Sequence, residues 1–435
     1  MRMKPEQALR AIEALRPAGM KWGLDRMRRA LALCGHPEST LRFVHVAGTK
    51  GKGSTARMIQ CILSAAGFRT GLYSSPAVTG VRDTVTVDGQ PISGEDFSAL
   101  TERLLALSGQ MGEEGALTEF ELVTVLALLY FSQKKVDVAV LECGLGGRDD
   151  ATNVIPPPLA AVLTPVSLDH TAVLGNTVEL IAKQKCGILK APCAVVTSPV
   201  QDEEALGVLY EQAAHLGLTV RVPARAGSTL LSTELGRTVF TYDGMILELP
   251  LTGAFQRDNA LTAIETVHAL VPHGFAVSEQ AIASGLRRAT LPCRQEVLCR
   301  DPLVLLDGAH NPQCAAALAD TLEQVGRRDF TLILGMLADK DYPRCVALLL
   351  PFCRRILCCT PDSPRALPGR ELAEAIRRQA PSFPVEIADT PQKALALAQT
   401  DGGRTPLLAT GSFLVAGPVR GLLMENRPDP LSKSE

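Results

Sequence analysis

The chain has 435 residues, enough for two or three domains with sizeable cores. Its formal net charge of −2 leaves no basic excess to hold a nucleic-acid backbone, and aromatic residues at 4% argue against base stacking on single strands. No apolar run reaches the roughly 20 residues that a membrane span requires.

The opening stretch, MRMKPEQALRAIEALRPAG, puts Leu9, Ile12 and Leu15 at helical spacing. Its arginines resemble those of a transit peptide, but Glu6 and Glu13 speak against one, so an ordinary amphipathic helix of a cytoplasmic protein is expected. Leu41–Ala47 reads as a buried strand. Ser54–Ala66 carries Ala56, Ile59, Ile62, Leu63 and Ala66 on one helical face, and Gly67 is a stop signal. With the short strand Thr70–Tyr73 they make the order of a parallel βαβ unit. A helix near Glu119–Phe131, strands Val136–Leu141 and Leu159–Leu163, helix Thr177–Lys185 and strand Ala194–Thr197 continue the alternation.

Residues 220–250 change character. RVPAR, TVFTYDG and MILELP are short alternating runs between glycines, read as a small antiparallel insert, and a helix follows at Asn259–Leu270. From LPCR (291–294) the pattern restarts, with strand Leu303–Leu306, helix Cys314–Val325 and strand Phe330–Leu334. The expected fold is α/β: a P-loop domain with a mainly parallel sheet and a small antiparallel insert over residues 1–290, followed by a second Rossmann-like α/β domain over 291–435. The twelve cysteines are scattered and no C-x2-C pair accompanies a histidine pair, so they read as buried thiols in a reducing compartment, not as zinc ligands.

Chemistry concentrates after the strand ends. VAGTKGKGST (46–55) departs from G-x-x-x-x-G-K-[ST], since Gly53 stands between Lys52 and Ser54. Its glycines still let backbone N–H groups close on phosphate oxygens, and the helix that follows adds positive potential. Lys52 would reach a terminal phosphate and Ser54 a Mg2+ ion. The strand before and the helix after favour this over an exposed glycine turn. LECGLGGRDDATN (141–153) sets Glu142 at a strand's C-terminal end, the ligand-binding edge of an open parallel sheet. Its GLGG is no dinucleotide fingerprint, because Asp149 stands where the third glycine belongs. Asp169 and His170 follow the next strand and are read beside Glu142 in sheet order, where His170 is equally a ligand or a structural histidine. In the second half, LLDGAHNP (305–312) sets Asp307 and His310 after a strand. With Asp341 of GMLADKD and Ser412 of TGSF they would form a polar rim facing a cleft if the two domains appose their edges.

VAGTKGKGST, YSSP (73–76), TEFE (118–121), LECGLGGRDDATN, SLDHT (167–171), KQKCGI (183–188), GAFQRDNA (253–260), LPCR, DGAHNP, GMLADKD and TGSF occur in this order over nearly the whole chain. Together they resemble the folylpolyglutamate synthase/dihydrofolate synthase branch of the Mur ligase superfamily. The resemblance implies an ATP-dependent ligase that adds L-glutamate to folates, and to dihydropteroate in some members, through an acyl phosphate. Thr49, Lys50, Gly51, Lys52, Gly53 and Ser54 would wrap the ATP phosphates, with Asn259, Arg294 and Asp307 as further ATP contacts. Two Mg2+ ions are implied, with Ser54, Glu142 and His170 on one, Ser75 on the second, and Lys185 carbamylated as an anionic ligand. Asp307, His310 and Ser412 match glutamate-binding positions. The pterin side would be Met20, Lys21 and Trp22 with Thr118, Glu119, Phe120, Glu121 and Arg148. By the same resemblance Lys52, Lys185, His170 and His310 would carry the catalytic roles. The implied partners are these small molecules, with no nucleic acid or membrane, acting on a monomer.

The chain departs from the family pattern at Lys50 for Asn, Ala77 for His, Asp149 for Leu, Gln184 for an acid and Cys293 for Gly. None of these removes a direct ligand. Three rival readings fit the sequence less well. A cell-wall Mur ligase would need a UDP-sugar domain, for which residues 1–40 are too short. A P-loop NTPase without ligase activity would not need DGAHNP. A non-catalytic relative would not keep Lys52, Glu142, His170 and Lys185.

Overall fold

The computed structural model of the chain describes residues 3–16, 21, 23–78, 80–402 and 404–425. Strands β1 (Phe43–Ala47), β2 (Thr70–Tyr73), β3 (Val85–Val87), β4 (Gln90–Pro91), β5 (Val138–Glu142), β6 (Ala160–Leu163), β7 (Ala194–Thr197) and β8 (Val220–Arg221) form one sheet in the order β4-β3-β2-β5-β1-β6-β7-β8. From β2 to β8 every pairing is parallel, and only the pairings of β3 with β2 and with β4 are antiparallel. Those two are joined by Asp88–Gly89, both with positive φ, the signature of a tight hairpin turn. All residues of β1, β5 and β6 are buried, as their Val/Ala/Leu runs predict for a sheet covered on both faces.

Each face has its own core. On one, Phe43, Tyr73, Leu126 and Phe131 pack among helices Pro5–Glu13, Asp25–Leu33, Gly94–Gln110 and Glu119–Gln133. The last of these is buried on nearly all sides, which explains its apolar sequence. On the other, Leu163, Ile181, Val195 and Leu209 form a core with helices Val178–Lys185 and Glu203–His215. Helix Lys52–Ala65, which follows the glycine loop, packs against helices Phe255–Ala269 and Glu279–Arg287. Gly285 is the contact point, since a Cβ there would lie 2.5 Å from the Ile62 Cα.

The antiparallel insert differs in detail from expectation. Val220–Arg221 extends the large sheet as β8, and the small sheet is β9 (Ser228–Glu234), β10 (Arg237–Tyr242) and β11 (Met245–Leu249) in the order β11-β10-β9. β9 has the sequence STLLSTE, whose hydroxyl residues conceal it as a strand.

The second sheet is β12 (Glu296–Arg300), β13 (Leu303–Leu306), β14 (Phe330–Leu334), β15 (Cys353–Cys358), β16 (Val385–Ile387) and β17 (Leu407–Thr410), ordered β12-β13-β17-β14-β15-β16. Only β12 is antiparallel to its neighbour. Leu305, Leu318, Phe330, Leu332, Ile356 and Leu408 are among its core residues. By its contacts the chain divides into two compact units. One comprises Met1–Leu231, Val239–Pro250 and Ala254–Ala289, the other Ser232–Thr238, Leu251–Gly253 and Thr290–Glu435. Among the described residues no helix is long and apolar enough to cross a membrane, and all twelve cysteines are free, eight of them buried.

Candidate functional site

Register sets the geometry of the first unit. Val46 pairs with Glu142 and Ala47 with Leu163, so the loops after β5, β1 and β6 leave the sheet at one level. The glycine loop springs from the middle of the three. Its first glycine, Gly48, has φ 151° and lies so close to Thr164 that a Cβ would fall 1.9 Å from the Thr164 Oγ1. The Thr49 and Lys50 N–H groups both donate to the Pro165 carbonyl, at 2.9 and 3.2 Å. Thr49 Oγ1 donates to the Ser167 carbonyl at 3.1 Å. Gly51, at φ 82°, is the N-cap of helix Lys52–Ala65, and a Cβ there would sit 2.4 Å from Asn259 Oδ1. The helix therefore starts at Lys52, two residues before the expected Ser54, because a left-handed glycine caps it. Lys50 is exposed, so its charge faces water.

Two buried charged side chains flank this loop. Glu142 lies against Gly53, its Oε2 3.2 Å from where a Cβ would be, and accepts a hydrogen bond from the Ser75 N–H at 3.2 Å. Lys185, 3% exposed, donates from Nζ to the Gly48 carbonyl at 2.7 Å. Burial, helped by the charge of Lys52, lowers the Lys185 pKa to about 8. The GLGGRDDATN segment holds Lys185 in place. Arg148 N–H donates to the Gln184 carbonyl at 2.8 Å, and Asn153 Nδ2 donates to the carbonyls of Arg148 and Gly187, both at 3.0 Å. A Cβ on Gly147 would come within 2.7 Å of the Lys185 carbonyl. The Arg148 side chain is exposed.

Glu142 with the Ser54 and Ser75 hydroxyls suits a hard divalent cation. Mg2+ takes one or two carboxylates and completes its shell from phosphate oxygens and water. A cluster of three or more His, Cys, Asp or Glu that could hold a metal ion is absent among the described residues. His170 needs a correction. The sequence places it beside Glu142 in sheet order, but β1 lies between β5 and β6, so β6, the strand that His170 follows, is not the neighbour of β5, which ends at Glu142. Local alternation carries no information on strand order. His170 has φ 49°, and its side chain is 60% exposed, 3.9 Å from Asp169 Oδ1.

Among the pterin-side candidates, Met20 and Trp22 lie outside the described residues. Lys21 Nζ donates to the Ala116 carbonyl at 3.3 Å. Thr118 caps helix Glu119–Gln133, with Glu121 closing a capping box. Glu119 is paired with Arg16 at 3.1 Å and Glu121 with Arg26 at 2.9 Å. The Phe120 ring packs against Gly144 and lies 5.8 Å from the Tyr73 ring.

In the second unit, Asp307 follows β13, buried, and accepts from Gln295 N–H at 2.8 Å and Ala309 N–H at 2.7 Å. Burial nevertheless pushes its pKa up to about 6, against the lowering effect of those bonds and of Arg294. His310 Nδ1 lies 2.9 Å from the Gly308 carbonyl. A carbonyl only accepts, so Nδ1 is the donor, and in the neutral ring Nε2 is the acceptor. Arg294 lies over the Phe413 ring at 4.7 Å, and His310 flanks that ring at 6.4 Å. Ser412, buried at the end of β17, accepts from Leu414 N–H at 3.1 Å. Thus Arg294, Asp307, His310 and Ser412 meet at the ends of β13 and β17. Asp341 instead caps helix Tyr342–Leu349, accepting from Arg344 N–H at 3.3 Å. Sequence reasoning missed Thr164, Pro165 and Phe413. Only Phe413 had a signal, an aromatic directly after the TGS turn.

Comparison with known proteins matches the Mur ligase middle domain over residues 46–267 and the Mur ligase glutamate ligase domain over 293–413. The chain is 36% identical to the folylpolyglutamate synthase of Lacticaseibacillus casei, covering 91% of this chain and 94% of that protein. It is 33% identical to the dihydrofolate synthase/folylpolyglutamate synthase of Bacillus subtilis, covering 92% and 95%. The crystal structure of folylpolyglutamate synthase from Thermotoga maritima matches with a TM-score of 0.84 and 31% identity, over 97% of this chain and 98% of that one. The Mycobacterium tuberculosis folylpolyglutamate synthase complexed with ADP matches with a TM-score of 0.80 and 31% identity, over 98% and 99%.

Proposed function

The chain belongs to the Mur ligase family, in its folylpolyglutamate synthase/dihydrofolate synthase branch, and from that premise we propose that it is an ATP-dependent ligase joining L-glutamate to a folate carboxylate, with dihydropteroate as a second substrate to be tested. The observation that carries the reading is the glycine loop with Lys52, flanked by buried Glu142 and bonded from below by buried Lys185. That set suits transfer of a phosphoryl group to a carboxylate, a meeting of two anions that needs positive charge to proceed. The ADP complex of the Mycobacterium tuberculosis relative supports a nucleotide here.

In this proposal residues 1–290 form the ATPase and folate-binding domain and residues 291–435 the glutamate-ligase domain. Thr49–Ser54 wrap the ATP phosphates, with the N–H groups of Gly51–Ser54 as donors because those of Thr49 and Lys50 already bond to Pro165, and Lys52 offsets the phosphate charge. The γ-phosphoryl bonds to a folate carboxylate oxygen and ADP leaves. The glutamate amine then attacks the acyl carbon, and the tetrahedral adduct collapses to an amide and free phosphate. Asn259, Arg294 and Asp307 hold the nucleotide, and Asp307, His310 and Ser412 hold glutamate. The free Nε2 of His310 is the acceptor for the proton the amine sheds. Met20, Lys21, Trp22, Thr118, Glu119, Phe120, Glu121 and Arg148 receive the pterin. Ser54, Ser75, Glu142 and His170 would hold two Mg2+ ions, which when bound neutralise phosphate charge.

A Lys185 pKa of about 8 leaves part of its amine neutral at physiological pH, the form that adds to CO2. The new N–C bond makes a carbamate, the proton goes to solvent, and a cation beside the phosphates becomes an anionic ligand. Activity should then fall in CO2-free buffer and return with bicarbonate.

The deciding assay supplies ATP, Mg2+ and labelled glutamate with dihydropteroate or tetrahydrofolate. Incorporation with one or both is expected, and its absence with both sinks the reading. Sedimentation in the same buffer tests the expectation of a monomer.

A further inference from the structure

Three basic side chains five residues apart, Arg16, Lys21 and Arg26, reach one short stretch, Ala116–Glu121. The outer two contacts are partly solvated. Arg16 and Glu119 are 49% and 28% exposed, and Lys21 reaches only a carbonyl. The third is different. The side chains of Arg26 and Glu121 are 18% and 5% exposed, and Arg26 donates from Nε and Nη2 to Glu121 Oε1 at 3.2 and 2.9 Å. The same Nη2 donates to the Lys21 carbonyl at 2.8 Å. Glu121 is engaged on its other side as well, since Oε2 accepts from the Thr118 N–H at 2.9 Å and closes the capping box. One guanidinium therefore ties the backbone at Lys21 to the first turn of helix Glu119–Gln133. A planar fork with fixed donor directions suits that double task, and an ammonium does not.

These contacts of Arg26, to Glu121 and the Lys21 carbonyl, involve none of the residues given a chemical role around the glycine loop. We infer that Arg26 is a positioning residue for the pterin end of the substrate. It holds Lys21 and the Thr118–Glu121 turn at a fixed separation, so that the two walls of that subsite move as one. The inference rests on the pterin role proposed above for those residues.

The test compares wild type with Arg26→Lys and Arg26→Met. The lysine variant keeps the charge pair with Glu121 but cannot also reach the Lys21 carbonyl, so its denaturation midpoint should stay near that of wild type. Its KM for the pterin substrate should nevertheless rise about tenfold, with kcat and the KM for ATP within about twofold. Arg26→Met should raise the same KM further. Amide exchange in the peptide spanning residues 21–28 should quicken in both variants. An unchanged pterin KM in a stable Arg26→Lys protein overturns the inference, as does a KM for ATP that rises in step. Unchanged exchange overturns the tether whatever the activity. A wild type that transfers no glutamate to any pterin substrate overturns the proposed function instead, and the substrate half of this inference with it.

Discussion

Gly51→Ala probes how the glycine loop is held, and Gly67→Ala is its internal control. Both glycines stand at the ends of helix Lys52–Ala65 with left-handed φ, 82° and 93°. A Cβ at Gly67 meets nothing within 4 Å, whereas at Gly51 it would lie 2.4 Å from Asn259 Oδ1. Gly67→Ala therefore reports the backbone cost alone, about 1–2 kcal/mol for an L-residue held left-handed. Gly51→Ala bears that cost and must also displace Asn259, which is buried and donates to Gln256 Oε1 at 3.0 Å. Breaking that buried bond adds about 1–3 kcal/mol, so the two variants should differ by that amount in urea denaturation. Activity should separate them further. Asn259 is a proposed nucleotide contact, so Gly51→Ala should raise the KM for ATP about tenfold or more. Gly67→Ala should leave it alone. Equal destabilisation of the two variants, with an unchanged KM for ATP in both, would refute the contact between loop and Asn259 as the reason for glycine.

Lys52→Ala should abolish ATP-dependent phosphate release and leave the circular dichroism spectrum and melting curve near those of wild type. Full activity in that variant would remove Lys52 from the phosphate site. Asp307 has a folded pKa of about 6 against an ordinary value of 3.8. The native state thus binds the extra proton between those values, and stability present near pH 4 is lost as pH rises through 6, on the order of 3 kcal/mol. The stability of Asp307→Asn relative to wild type should therefore grow from pH 4 to pH 7, and a flat difference would contradict the burial argument. Phe413→Leu removes the ring under Arg294. Loss of a contact worth about 0.5–1 kcal/mol should raise the KM for ATP about two- to fivefold, read by steady-state kinetics.

The mainly parallel α/β character was legible because strands covered on both faces must be largely apolar, as AAVL (160–163) and VAVL (138–141) before Glu142 show. Other strands hid for physical reasons. β15 reads CRRILC, and its arginines break the apolar run, although Arg355 finds partners in Thr331 and the carbonyls of Leu397 and Ala398. The candidate loops were legible because each follows a strand and ends in residues that suit ions or phosphate. What braces them was not. Thr164 and Pro165 touch the glycine loop only because β6 lies beside β1, and the same strand order keeps β6, which His170 follows, from pairing with β5, which ends in Glu142. Strand order is a property of the whole sheet, and local periodicity does not encode it.

The bonds around Gly48–Gly51 also bear on transplantation. The loop's own residues supply few of the constraints on its shape. Pro165 fixes two of its N–H groups, Lys185 holds its first carbonyl, and Asn259 fills the space beside Gly51. These partners come from three separate stretches of chain, up to about two hundred positions downstream. Grafting VAGTKGKGST between a strand and a helix of another protein would carry the letters without the mould. A recipient would have to be chosen for what stands next to the graft, since the conformation of these ten residues is stored mostly in their neighbours.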